Sequence, residues 1–160
     1  MMRKPLVKMN ERQALERMSS RCAKSEQCEA DVRRKLAEWE QDDAAADRIV
    51  ERLRAEGFVD DERFCRAFVE DKWRFNRWGR TKIRMALRMK GMDGAPADEA
   101  LAAVDDNEYR EVLAAMLREK SRTVSAASDY ERYQKLIRFA LGRGFEIDVI
   151  KDCLNEDTGL

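Results

Sequence analysis

The sequence predicts an all-α protein made of three tandem three-helix repeats stacked into an elongated, curved array. Three observations carry this expectation. Charged residues make up 40% of the 160 and hydrophobic residues 44%, with seven glycines and two prolines, a composition that suits solvated helices better than a sheet. Apolar residues recur three and four apart, and few stretches alternate with period two. A glycine followed by an apolar residue recurs at Gly57-Phe58, Gly91-Met92 and Gly144-Phe145, the usual stop at which a helix turns left-handed and the next side chain folds back.

Taken in order, Leu15, Met18 and Cys22 mark a first helix. Cys28, Val32, Leu36 and Trp39 mark a second, with Ser25 as its expected cap, and Ala46, Ile49, Val50 and Leu53 a third. Asp60 or Asp61 can cap a fourth, on which Phe64, Phe68 and Phe75 are expected to form the core face, with Trp73 at its edge. Asn76 to Gly79 interrupts the pattern. A fifth helix is expected over 80–90, and a short sixth after Pro96, with Asp98 and Glu99 in its first turn, where acids suit the helix dipole.

The seventh carries Tyr109, Val112, Leu113, Met116 and Leu117. The polar run SRTVSAAS, residues 121–128, reads as a linker. Ser128 with Glu131 fits a capping box for the eighth helix, which shows Tyr130, Tyr133, Leu136, Ile137, Ala140 and Leu141. Ile147, Ile150 and Leu154 mark a ninth. The spacing gives repeats over 11–59, 60–105 and 106–156, between a loose arm (1–10) and a tail (157–160). A single unit of that size buries little alone, so neighbours are expected to stack.

Several functions lose their usual residues. There is no histidine, the side chain that titrates nearest neutral pH, and neither a phosphate-binding loop motif nor a G-x-S-x-G elbow. Cys22, Cys28, Cys65 and Cys153 lack C-x-x-C spacing and read as buried, reduced residues rather than zinc ligands. No catalytic residue, metal or cofactor is expected. The basic start MMRKPLVKMN has no apolar run behind it, and no stretch approaches the roughly 18 apolar residues of a spanning helix. A cytoplasmic protein is expected, with no membrane contact.

Charge is unevenly distributed. Lysines and arginines balance acids at 32 each, yet Lys72 to Lys90 holds eight cations and no acid. Residues 25–62 hold thirteen acids against six bases, and residues 91–112 seven against one. At 100° per residue, Arg80, Arg84 and Arg88 fall within about 80° of one another. Arginine's planar fork suits phosphate and carboxylate. Lys72, Arg74, Arg77 and Lys82 extend this patch, while Lys135, Arg138 and Arg143 could continue it. Three readings fit: a solvated face paired with neighbouring acids, a nucleic-acid backbone site, or a site for an acidic protein groove. Trp73 and Trp78 each fit either a wedge between helices or a stacking and anchoring residue.

Three stretches, GFVDDERF (57–64), WGRTKIRMALRMKGM (78–92) and KLIRFALGRGF (135–145), resemble in order and spacing the signatures of the RecX family, bacterial regulators of the RecA recombinase. The resemblance spans about residues 12–154. It implies three three-helix units and a non-enzymatic regulator; a monomer is expected. Such a regulator lies in the groove of the RecA–single-stranded DNA filament and restrains ATP hydrolysis, strand exchange and coprotease action. The resemblance favours the nucleic-acid and protein-groove readings together, since such a filament offers both surfaces, and Lys72, Arg74, Arg77, Trp78, Arg80, Lys82, Arg84, Arg88, Lys135, Arg138 and Arg143 are the expected contacts to RecA or nucleic acid. The alternative is a stand-alone nucleic-acid-binding helical module.

Overall fold

A computed structural model describes residues 9–156. Of the expected arm only Met9 and Asn10 fall inside that range, and the expected tail lies outside the described residues. Among the described residues there are nine helices and no strand: α1 Glu11–Lys24, α2 Glu29–Glu38, α3 Asp43–Ala55, α4 Asp61–Arg74, α5 Arg80–Met89, α6 Ala95–Ala102, α7 Asp106–Thr123, α8 Asp129–Gly142 and α9 Ile147–Glu156. They form two compact units that divide between Phe64 and Cys65, within α4. None of these helices is long and apolar enough to cross a membrane.

The helices begin where short polar side chains can accept their first amides. Asn10 and Gln13 make a reciprocal capping box on α1, and Asp42 and Asp105 cap α3 and α7. Asp60 is the cap of α4, accepting from the Arg63 amide at 2.9 Å. Ser25 does not cap α2: it ends α1, and its hydroxyl accepts from the Gln27 amide group. The Cys28 thiol takes that place, accepting from Asp31 N–H at 3.4 Å. Ser128 caps α8, but Glu131 reaches back to Ala127 N–H rather than to Ser128. The α7 helix runs on to Thr123, so the first three residues of the expected linker are helical.

The glycine stops form as expected. Phe58, Met92 and Phe145 amides reach back to the carbonyls of Leu53, Leu87 and Ala140 at 2.8, 2.9 and 3.1 Å, with Gly57, Gly91 and Gly144 at φ of 78°, 79° and 92°. Two further ends place a non-glycine residue in the left-handed region: Glu40 after α2 (φ 58°), where Gln41 N–H closes on Leu36 C=O as at the glycine stops, and Arg77 after α4 (φ 55°), where Trp78 N–H reaches six residues back to Lys72 C=O. Each carries the steric cost of a Cβ in that region, on the order of 1 kcal/mol.

In the first unit, α1, α2 and α3 close around Met18, Val32, Leu36, Ile49 and Leu53, all essentially buried. In the second, α7 packs on α8 and α9, and α5 on α6, around Ile83, Leu87, Tyr109, Leu113, Leu117, Leu136, Phe145 and Ile150. The buried residues of α4 are Phe64, as expected, and the stripe Cys65, Val69 and Trp73 at i, i+4 and i+8, while Phe68 is half-buried. Phe75 is therefore not a core residue. It lies one position past the end of α4, where the helical angle no longer applies, and is 81% exposed, while Trp73 is 3% exposed. All four cysteines are buried.

The tightest junction joins the start of α5 to the end of α8. Gly79 N–H donates to Arg143 C=O at 2.8 Å, and Thr81 N–H to Gly144 C=O at 3.0 Å. A Cβ on Gly79 would stand 2.3 Å from Gly144 backbone atoms, and one on Gly144 would stand 2.2 Å from Lys82 Cβ. By contrast, nothing lies within 4 Å of a Cβ on Gly142. Gly79→Ala is expected to cost about 3 kcal/mol or more, while Gly142→Ala, in a helix, is neutral or stabilising by up to about 1 kcal/mol. Urea unfolding of the two variants checks the difference.

Candidate nucleic-acid interface

The amino end of α5 has no capping side chain, because Gly79 precedes it. Its amides are met from outside the helix: Arg80 N–H donates to the Tyr109 hydroxyl at 3.0 Å and Thr81 N–H to Gly144 C=O. The Tyr109 hydroxyl in turn donates to Glu146, and its ring packs on Trp73 and Phe145, with centroids 6.2 and 5.1 Å away. Burial, and then the bond to Glu146, push the Tyr109 phenol above its usual value.

Arg80 belongs to this junction. Its guanidinium lies 4.0 Å from the Tyr109 ring centroid and bonds Asp106 at 2.6 Å, Glu146 at 3.3 Å and Val104 C=O at 3.3 Å. Its side chain is only 21% exposed. Burial opposes its charge, but the Asp106 bond and the charge of Glu146 outweigh that, and its pKa is held above the usual value.

The stripe of three arginines on α5 thus divides. Arg80 turns into the fold, whereas Arg84 and Arg88 stay on the surface, paired with Asp98 at 2.5 Å and Asp93 at 3.1 Å. Arg74 meets Glu70 and Glu108, Lys135 meets Glu131 at 3.1 Å, and Arg77 and Lys72 have looser partners at 3.8 Å in Glu119 and Asp71. Such surface pairs are worth about 1 kcal/mol or less and exchange readily for a phosphate. Lys82, Arg138 and Arg143 have no carboxylate partner among the described residues; Arg138 and Arg143 are exposed and Lys82 is half-buried.

Two aromatic rings are interleaved with these cations. Trp78 has Lys82 Nζ at 4.5 Å and Lys72 Nζ at 5.1 Å from its centroid. Phe139 has Lys120 Nζ at 5.2 Å and the Arg143 guanidinium at 5.3 Å. The Gly79–Arg143 bond joins the two layers, since Trp78 precedes Gly79 and Arg143 carries the accepting carbonyl. Beside Phe139 lies a notch of about 310 Å³, walled by Arg77, Lys120, Thr123 and Arg143 over Met116 and Phe139, with Glu119 as its one acid. Alternating cations and rings are what a single-stranded nucleic acid uses: charge for its backbone, ring faces for its bases.

Lys120 and Phe139 escaped the sequence reading. Phe139 stands four residues before Arg143 on one helical face, a visible pairing. Lys120 lies on α7 and reaches the patch only because α7 packs on α8.

These features define an all-α repeat protein with a cation–aromatic face. Residues 60–101 and 107–154 match the family models for the second and third three-helix domains of RecX. Over 124 residues the chain is 32% identical to the regulatory protein RecX of Chlorobium phaeobacteroides, covering 78% of this chain and 76% of that one. It is 32% identical over 130 residues to that of Clostridium botulinum strain Alaska E43, and spans about 60% of that relative's length. The fold superposes on a crystal structure of RecX from Lactobacillus salivarius with a TM-score of 0.84 at 18% identity, covering 94% of this chain and 97% of that one. It superposes on another crystal structure, of regulatory protein RecX, with a TM-score of 0.83 at 22% identity, covering 91% of this chain and 73% of that one. The chain belongs to the RecX family of regulatory proteins.

Removing Arg80 leaves Asp106 and Glu146 without their shared cation, so Arg80→Ala is expected to cost about 2–3 kcal/mol. Arg84→Ala and Arg88→Ala should each cost about 0.5 kcal/mol or less; denaturant midpoints separate the cases. Because the folded state favours the neutral phenol of Tyr109, its stabilisation is complete below the unfolded value near ~10 and falls as pH rises from there toward the folded value. The melting temperature of the native chain should therefore drop more steeply above pH ~10 than that of Tyr109→Phe.

Proposed function

We propose that this chain restrains a RecA recombinase by binding the RecA–single-stranded DNA filament, without catalysis of its own. Family membership supports the regulatory role. The observation that carries the nucleic-acid contact is the interleaving of Lys72, Trp78, Lys82, Lys120, Phe139 and Arg143 on one unit. Arg74, Arg77, Arg84, Arg88, Lys135 and Arg138 flank it as exchangeable surface cations, and Arg80 serves by fixing α5 in place. The repeats are taken as 11–59, 60–105 and 106–156.

A filament also presents protein. Met85 and Met89 stand one turn apart on α5, 59% and 88% exposed, and Phe75 is exposed as well. Charge steers the encounter, and apolar anchors of this kind prolong it. To restrain RecA the chain must bind the filament state poor in exchange more tightly than the active one, because a ligand shifts an equilibrium only through differential affinity.

ATP hydrolysis by RecA on single-stranded DNA should fall with this chain present below stoichiometry, and no inhibition at any ratio would contradict the proposal. Replacing Lys82, Lys120 and Arg143 together by Ala should raise the half-inhibiting concentration about tenfold without changing the melting temperature by more than a few degrees. The same cations favour a second reading, direct binding of free nucleic acid. In that case log K should fall with log salt at a slope of roughly −2 to −3, and the triple substitution should flatten it.

A further inference from the structure

Arg77 occupies a backbone position that favours glycine. It sits at φ 55°, in the left-handed region that Gly57, Gly91 and Gly144 occupy after α3, α5 and α8. The turn itself asks for no side chain there, and the Arg77 pair with Glu119, at 3.8 Å on the surface, returns little. An arginine at a strained position points to work done by its guanidinium, and that side chain forms one wall of the notch beside Phe139.

The notch is polar and basic at its walls and apolar at its floor. Lys120 and Arg143 have no carboxylate partner among the described residues, and both already lie against the Phe139 ring. At about 310 Å³ it falls at the lower end of small-molecule sites, room for one base rather than a duplex. We propose that it seats a single nucleotide of single-stranded DNA. The base stacks on the Phe139 ring. Arg77, Lys120 and Arg143 take the flanking phosphates. An acidic peptide would satisfy the cations but has no use for the ring. The proposal rests on the reading of this face as the DNA-contacting one, and adds that contact is made base by base.

The test compares binding of the full chain, without RecA, to a dye-labelled oligothymidylate and to an abasic strand of equal length and charge, followed by fluorescence anisotropy. The native chain should prefer the strand with bases by about tenfold. Phe139→Leu should erase that preference while leaving the abasic affinity unchanged. Arg77→Gly should weaken both affinities several-fold and raise the melting temperature by about 2–4 °C, as Glu40→Gly should without any effect on binding. Equal affinity of the native chain for the two strands, or a preference that survives Phe139→Leu, overturns the notch. If the native chain nevertheless inhibits RecA ATP hydrolysis, the regulatory reading stands without it. If it also fails to inhibit, that reading falls too.

Discussion

The second unit depends on one close crossing, where the backbone at Gly79 runs against the backbone at Gly144 with no room for a side chain between them. A helix start normally borrows an oxygen from its own cap residue. The α5 helix has none, and takes the Gly144 carbonyl and the Tyr109 hydroxyl instead. Its first turn can therefore be satisfied only when α7 and the end of α8 are already in position. That requirement couples two stretches 65 residues apart in sequence and makes WGR and GRGF two halves of one contact. It also fixes the face next to it. Trp78 enters the crossing from one strand of chain and Arg143 from the other, which brings the Lys72–Trp78–Lys82 layer beside the Lys120–Phe139–Arg143 layer.

The arginine-rich run is electrostatically less uniform than its composition. Its guanidiniums are shared with carboxylates of the acidic block that follows: Asp93, Asp98, Asp106 and Glu108 pair with Arg88, Arg84, Arg80 and Arg74. The segregated charge blocks thus act partly as a folding device, joining α5 to α6 and α7. What remains open to an external anion is a smaller set centred on Lys82, Lys120 and Arg143. Exposure grades the rest. Arg80 is committed to the fold, since its guanidinium is largely covered and its loss would leave the half-buried Glu146 without its cation, while Arg84 and Arg88 keep their charge in water and exchange partners cheaply.

Much of the fold was legible in the sequence. Apolar spacing at three and four residues marked nine helices, and the glycine-apolar stops fell where the chain turns left-handed, because glycine's conformational freedom is a local property. Failures came where tertiary context decided. Phe75 has core spacing only if α4 continues past Arg74. Trp73, on the angular edge of the presumed face, is interior because Tyr109 offers it a ring to pack on. Ser25 lost the cap of α2 to a thiol. For the site, the sequence singled out residues 72–90 and favoured the arginine stripe, since pairing with distant acids is invisible to helical angles. Lys120 could not be placed without the packing of α7 on α8.

The central claim is that carboxylate-free cations interleaved with Trp78 and Phe139 are what the RecA–DNA filament meets. The most direct measurement is covalent amine labelling of the chain, read residue by residue by mass spectrometry, with and without the assembled filament. Lys82 and Lys120 should be shielded on binding, while Lys24 and Lys35 of the first unit serve as internal references that keep their reactivity. Unchanged labelling of Lys82 and Lys120 on a chain demonstrably bound to the filament would contradict the account.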